Sequence, residues 1–415
     1  MRIVLTGGGT LGHCMPNVAL LPELKKLFDE IDYIGSKAGL EKDVVTGNGV
    51  PFHEIDVCKL RRSLSVKNLA IPFLLARGKR QSVRILKKLR PDVVFSKGGY
   101  VALPVALACK KLKIPLVCHE SDLSVGLANR LCLPFAACFL TAFPDTATGR
   151  KNARFVGAPL RDSLFSATRK EGLQYFGFSG KKPVLLVLGG SLGSESVNRA
   201  VLQILDQLLE KFDVLHLVGE KNSLPLPRKE GYVVRNFEPK MEFAYAAASL
   251  ALSRAGANAL FELTACGVPT LAVPLPSGRG DQKQNAAFFE KRGAVMVLNE
   301  EDFHTKSLYD ELMLLKKRAP ELKAAAEKLK LADVNQKIVR ILCGVANGKG
   351  LPEESVSSLS GRNSAPFPKQ KGASTAKSST PTAENGSFSA TKSCGFPMAE
   401  NKIVPPTQNS SSPMP

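Results

Sequence analysis

Residues 2–13 read RIVLTGGGTLGH and residues 183–194 read PVLLVLGGSLGS. Each is an aliphatic, β-branched run that ends in glycines and then opens a helical stretch, which reads as strand, turn and helix. That succession starts a doubly wound parallel α/β unit. Meeting it twice predicts an α/β chain of two Rossmann-like domains, residues 1–160 and 161–345, joined by the link FVGAPLRDSL at 155–164. Further strands are expected at Asp92–Phe95, Pro115–Cys118, Asp213–Val218, Ser249–Leu252 and Pro269–Val273, alternating with helices as parallel sheets require. From residue 346 Ser, Pro, Thr, Lys, Asn and Gly dominate, so 346–415 is expected to be a disordered tail.

The chain has 415 residues, 44% hydrophobic and 23% charged, which excludes a fibrous or wholly disordered protein. No apolar run reaches the ~18–20 residues of a spanning helix. The N-terminus runs into a glycine loop rather than an apolar signal segment, so no signal peptide is expected. Nine cysteines without a CxxC pair read as reduced thiols rather than disulfides or a zinc site. Net charge is +20. Residues 58–91 hold 11 basic residues and no acidic one, which calls for an anionic partner or surface.

Five stretches carry chemistry. Gly7-Gly8-Gly9-Thr10-Leu11-Gly12-His13 offers backbone N–H groups and a helix start to an anion. Its spacing is neither the dinucleotide fingerprint nor a P-loop, and His13 lies where the helix begins. Ser96-Lys97-Gly98-Gly99-Tyr100 can form a second anion-binding turn, or a plain strand–helix turn. Gly189-Gly190-Ser191-Leu192-Gly193-Ser194 repeats the cradle in the other half. In Ser253-Arg254-Ala255-Gly256-Ala257-Asn258-Ala259-Leu260-Phe261-Glu262 the carboxylate could accept from two vicinal hydroxyls of a ribose. Arg279-Gly280-Asp281-Gln282-Lys283-Gln284-Asn285-Ala286 groups side chains that both donate and accept, as sugar hydroxyls do. No Asp-x-Asp pair is present, so no metal or other cofactor is expected to hold a sugar nucleotide.

These motifs, with His119-Glu120-Ser121-Asp122, occur in the order found in the MurG family of peptidoglycan glycosyltransferases, which this chain resembles over about residues 1–340. The resemblance implies a GT-B fold, two Rossmann-like domains facing a cleft. It implies inverting transfer of N-acetylglucosamine from UDP-GlcNAc to the muramoyl O4 of lipid I, giving lipid II and UDP. That reaction serves peptidoglycan synthesis, and with it cell shape and division. Gly8, Gly9, Gly98, Gly99 and Tyr100 would then hold the acceptor diphosphate, and Thr10, Leu11 and Gly12 would border the donor sugar. Arg161 and Ser191 would contact the nucleotide diphosphate. Phe237 and Glu238 would lie at the uracil. Glu262 would bind the ribose, with Ala257, Asn258, Ala259, Leu260 and Phe261 passing along the diphosphate. Asp122, Asp281 and Gln282 would face the GlcNAc. Leu11, Asp122 and Asp281 depart from the residues usual in the family.

A general base must take the proton of the acceptor hydroxyl. His13 is the first candidate and Glu120 the second. A lipid acceptor also gives the basic stretch a purpose. Leu69, Ile71, Phe73, Leu74 and Leu75 lie between Arg61-Arg62 and Arg77, Lys79 and Arg80, an apolar insert with cationic flanks. Peripheral binding to an anionic membrane, at its cytoplasmic face, is therefore expected. Another GT-B enzyme, such as a glycolipid glycosyltransferase or a UDP-GlcNAc 2-epimerase, would share many of these features. Nucleic-acid binding is not expected, since no recognition motif accompanies the charge.

Overall fold

The first strand, β1 (Arg2–Gly8), is buried from Ile3 to Gly8 because its neighbours cover it on both edges and both faces. In the computed structural model, residues 1–9, 11–37, 39, 41–57, 71–276, 280–302 and 305–349 are described. Thr10, Arg61, Arg62, Leu69, Arg279 and the segment from 350 onward lie outside them, as does the side chain of Ile71.

Two parallel sheets are present. The first contains β1 with β2 (Glu30–Ser36), β3 (Phe52–Ile55), β4 (Val93–Gly99), β5 (Leu116–Glu120), β6 (Cys138–Thr141) and β7 (Ala153–Phe155), in the order β3-β2-β1-β4-β5-β6-β7. The second contains β8 (Val184–Leu188), β9 (Asp213–Leu217), β10 (Tyr232–Arg235), β11 (Ala248–Arg254), β12 (Thr270–Val273) and β13 (Val295–Val297), in the order β10-β9-β8-β11-β12-β13. In both, the glycine loop leaves a central strand. The order reverses there, which is where open α/β sheets bind ligands.

Alternation along the strands fills the two faces of each sheet. Ile3 and Leu5 point to one side with Leu20, Leu24 and Phe95, while Val4 and Val94 point to the other with Val105 and Phe139. In the second sheet Leu185 and Val187 oppose Val184 and Leu186 in the same way. A fifth cluster joins Phe143 and Ala158 of the first half to Leu260, Ala286 and Phe289 of the second, so the two domains share a core where they meet.

Two differences from the expected organisation stand out. Six strands had no clear sequence signal: β2, β3, β6, β7, β10 and β13. Several are only three or four residues long, and β2 (EIDYIGS) mixes polar and apolar residues. The last helix, Val334–Ala346, also does not pack on the second sheet. Its Ile338, Val339 and Leu342 enter the core of the first, against Ile3, Leu5 and Leu24. An amphipathic helix declares its apolar face but not the sheet that receives it.

Leu342 is fully buried in that returning helix. Leu342→Ala is expected to cost about 2–5 kcal/mol, read as a lower urea midpoint. An unchanged midpoint would show that the helix contributes no stability to the first domain.

Candidate functional site

The acceptor-side cradle is made by the ends of β1 and β4, neighbours in the sheet. Gly8 pairs with Gly99 after a shift of register. A Cβ on Gly99 would lie 2.1 Å from the Gly8 carbonyl oxygen, and one on Gly9 would lie 2.3 Å from the Tyr100 ring. Gly98 and Gly99 both have positive φ, +83° and +79°, so only glycine fits the bend without strain. The Tyr100 hydroxyl donates to Ser36 Oγ at 3.5 Å. The two glycine loops expected to act together are thus brought into direct backbone contact. His13 is the third residue of the helix Leu11–Leu27 that starts beside them.

Next to this cradle stands the end of β5. Glu120 is buried and saturated: its carboxylate accepts from the backbone N–H of Ser121 (3.0 Å), Asp122 (3.1 Å) and Gly126 (2.8 Å), and from Asn129 Nδ2 (3.0 Å). Four donors give it the job of shaping the turn 120–126. Lys97 Nζ lies 2.6 Å from His119 Nδ1 and 2.8 Å from Ser121 Oγ, and His119 Nε2 lies 3.0 Å from the Gly157 carbonyl. Burial pushes the Lys97 ammonium down to about 7, against the pull of the Glu120 and Asp122 carboxylates. Burial and the Lys97 charge together hold His119 well below its ordinary value.

The turn reaches the second domain. Asn285, fully buried, accepts from the Leu123 N–H (2.9 Å) and donates to Asp122 Oδ1 (2.9 Å). Ser124 Oγ donates to Asp281, and Asn258 Nδ2 donates to the Gly12 carbonyl at 2.8 Å. Burial raises the Asp122 carboxyl above its ordinary range and neighbouring Glu120 adds to this, whereas the Asn285 bond and His13 oppose it. Asp122 and Asp281, two of the three departures from the resembled family, therefore both take part in the joint between domains.

On the other side, Gly193 and Gly219 repeat the close approach: a Cβ on Gly193 would lie 2.1 Å from the Val218 carbonyl oxygen. Ser191 lies in the turn above them, its carbonyl accepting from the Glu220 N–H at 3.2 Å. Arg254 is buried beneath this loop. It donates to Ser194 Oγ (2.9 Å), Ser196 Oγ (2.7 Å) and the Val273 carbonyl (3.2 Å), and pairs with Glu300. Glu262, in the helix Ala257–Ala265, accepts from the Tyr245 hydroxyl at 2.7 Å. Burial raises its carboxyl, with Tyr245 and Arg161 opposing. Arg161 Nε is buried with no hydrogen-bond partner among the described residues, an orphaned donor beside that carboxylate. Phe237 is exposed, and Glu238 is buried, accepting from the Lys240 N–H at 2.8 Å. Gln282 Oε1 accepts from the Leu275 N–H at 3.0 Å.

Of the residues singled out from sequence, Gly8, Gly9, Gly98, Gly99 and Ser191 lie on the glycine loops and Asp122, Asn258 and Asp281 at the joint, whereas Arg161, Phe237, Glu238 and Glu262 lie elsewhere. Lys97, Arg254 and Asn285 belong to motifs that were noticed, yet sequence reasoning gave them no role. An internal charge or amide inside a motif is the signal that could have found them. Among the described residues no group of three or more His, Cys, Asp or Glu side chains could hold a metal ion.

Arg254→Met would leave Glu300 and two serine hydroxyls without their donor, at about 1–3 kcal/mol. Faster amide exchange across residues 189–196 is expected. Unaltered exchange would show that the loop stands without the arginine.

Comparison with known proteins agrees with this geometry. Residues 3–141 match the glycosyltransferase family 28 N-terminal domain and residues 184–340 its C-terminal domain. The UDP-N-acetylglucosamine--N-acetylmuramyl-(pentapeptide) pyrophosphoryl-undecaprenol N-acetylglucosamine transferase of Lachnoclostridium phytofermentans is 46% identical over 313 residues, 74% of this chain and 88% of that protein. Its counterpart from Oceanobacillus iheyensis is 41% identical over 350 residues, 83% of this chain and 98% of that protein. Among solved structures, Acinetobacter baumannii MurG superposes with a TM-score of 0.62 at 24% identity, over 82% of this chain and 99% of that one. UDP-GlcNAc 2-epimerase from Neisseria meningitidis, bound to UDP-GlcNAc, superposes with a TM-score of 0.59 at 14% identity, over 82% and 99%. The structural likenesses show the shared GT-B fold. The two domain matches, in order, and the identity to transferases over nearly their whole length place the chain in glycosyltransferase family 28, among its MurG-type members.

Proposed function

We propose that the cleft between the two glycine loops transfers N-acetylglucosamine from UDP-GlcNAc, with inversion, to the muramoyl O4 of a polyprenyl-diphosphate-linked muramoyl peptide, releasing UDP. The observation that carries this reading is the near full-length identity to transferases named for that activity. It favours a transferase over the 2-epimerase, whose likeness extends to the fold alone.

The roles follow from chemistry. As the sugar–phosphate bond breaks, negative charge grows on the departing diphosphate. The loop around Ser191, the start of the helix Glu195–Gln203 and the orphaned Arg161 Nε would receive that charge. Glu262 would accept from the ribose hydroxyls, and the backbone beside Phe237 and Glu238 would meet the uracil. Gly8, Gly9, Gly98, Gly99 and Tyr100 would seat the acceptor diphosphate. Thr10, Leu11, Gly12, Asp122, Asp281 and Gln282 would surround the sugar. Held this way, donor and acceptor gain rate by orientation.

His13 is the base in this scheme. Its helix starts at the meeting point of the loops, and the Asp122 carboxylate is near enough to feel its charge. Glu120, occupied by four donors, is left to hold the turn. Purified protein with labelled UDP-GlcNAc and a soluble lipid I analogue tests the reading directly. His13→Ala is expected to lower kcat by ~10²–10⁴-fold with donor binding retained. Wild-type turnover in that variant would return His13 to a structural role.

The lipid acceptor brings the enzyme to a membrane. No described helix is long and apolar enough to cross one. Phe73 (67% exposed), Leu127 (50%) and Leu131 (41%) are large apolar side chains left on the first domain. Exposed Arg77, Arg80 and Arg84 share the helix Ile71–Leu89 with Phe73, Arg77 being paired with Asp56. Peripheral docking at an anionic, cytoplasmic surface suits these features, and no nucleic acid is needed to explain the charge. Vesicles with anionic lipid should bind the protein and release it as salt rises. Replacing Arg77, Lys79 and Arg80 by Glu should cost at least ~1 kcal/mol per charge. Equal vesicle binding by variant and wild type would move the lipid contact elsewhere.

A further inference from the structure

Lys97 is a cation in a place that disfavours one. It is 2% exposed, and it immediately precedes the Gly98-Gly99 turn. As an ammonium it donates to the lone pair of His119 Nδ1, which puts the imidazole proton on Nε2, facing the Gly157 carbonyl. Its second bond, to Ser121 Oγ, grips the turn that carries Glu120 and Asp122. One side chain of β4 thus ties the glycine turn to β5 and, through Asp122 and Asn285, to the second domain.

The charges around it make the arrangement consequential. His119 and Glu120 face it from the end of β5 and Asp122 from the turn that follows. His13, on the first helix, and Asp281, from the second domain, act on Asp122 in turn. A diphosphate seated on Gly98-Gly99 would bring further negative charge to this edge. A buried, hydrogen-bonded cation offsets it at close range, where the low dielectric gives charge its greatest effect.

We propose that Lys97 is a positioning residue for the acceptor: its buried charge holds the His119–Asp122 turn against Gly98-Gly99 and offsets the two carboxylates that the acceptor diphosphate must approach. The proposal rests on the glycosyltransferase reading given above. The sign of its pH dependence follows. The ammonium is present below its folded value and is lost as pH rises through about 7. Acceptor kcat/KM should therefore fall on that limb, while UDP binding in the other domain should not.

The test uses the full chain as wild type, Lys97→Met and Lys97→Arg, with UDP-GlcNAc and a soluble lipid I analogue for turnover and with UDP calorimetry. Lys97→Met should lower acceptor kcat/KM about ten- to a hundredfold, chiefly through KM. Its UDP affinity should match wild type. Lys97→Arg should recover much of the loss and lack the descending limb near neutrality, because guanidinium stays charged. Wild-type acceptor kcat/KM in Lys97→Met, joint loss of UDP and acceptor binding, or the same limb in Lys97→Arg would overturn the proposal. If the wild type transfers nothing, the glycosyltransferase reading fails instead. Nitrogen NMR of His119 would then still read the tie: its Nδ1 signal should titrate near neutrality in wild type and not in Lys97→Arg. A flat signal in wild type would overturn the assignment.

Discussion

Backbone must touch backbone where β1 and β4 end, and much else in the molecule is arranged around that contact. Between the Gly8 carbonyl and the Gly99 Cα there is no room for a methyl group. The strands can pair that far only because glycine lies on both. The consequence is a sheet edge built from close-set backbone, with the Tyr100 ring against Gly9 and the Asn129 amide against Gly98. The second domain meets the same constraint at Gly193 and Gly219. It adds a buried arginine, Arg254, to hold its loop from below.

Two cradles make one site only if the domains keep a common geometry. That geometry is supplied by two kinds of contact. Apolar packing at the joint is aromatic: Phe143 stacks edge-on against Phe288 at 4.8 Å and lies 4.9 Å from Phe261. Such pairs prefer tilted and edge contacts, which fix direction as well as distance. Polar register comes from Asn285, whose amide satisfies a backbone N–H and a carboxylate of the opposite domain at once. The returning helix Val334–Ala346 adds a covalent strap, since it begins in the second half and packs in the first.

The sequence made the glycine loops legible because their constraint is local. Positive φ and close approach both demand glycine, so GGGTLGH, KGGY and GGSLGS announce strand ends without help from distant residues. The helices that carry His13 and Glu262 were legible for the same reason, each opening at a fixed offset from a turn. What could not be read depends on contacts far apart in the chain. Asn285 meets Asp122 across 163 positions, and Arg254 meets Ser194 across 60. The destination of the last helix is another such case. Short strands such as β7 and β13 also escaped, since three residues carry too little alternation to register a period.

Glu120 illustrates how position in the sequence and availability for chemistry come apart. A carboxylate two residues from Asp122 invites a catalytic role. Yet its two oxygens are filled by three backbone N–H groups and one amide. Taking a substrate proton would mean surrendering part of that set, and each bond to a charged group is worth about 1.5–3 kcal/mol. The same bonds hold the turn that delivers Asp122 to Asn285. A base that dismantled the joint each time it accepted a proton would work against the geometry the reaction depends on. His13, at the start of the helix Leu11–Leu27, acts on Asp122 through its charge and takes no part in those four bonds.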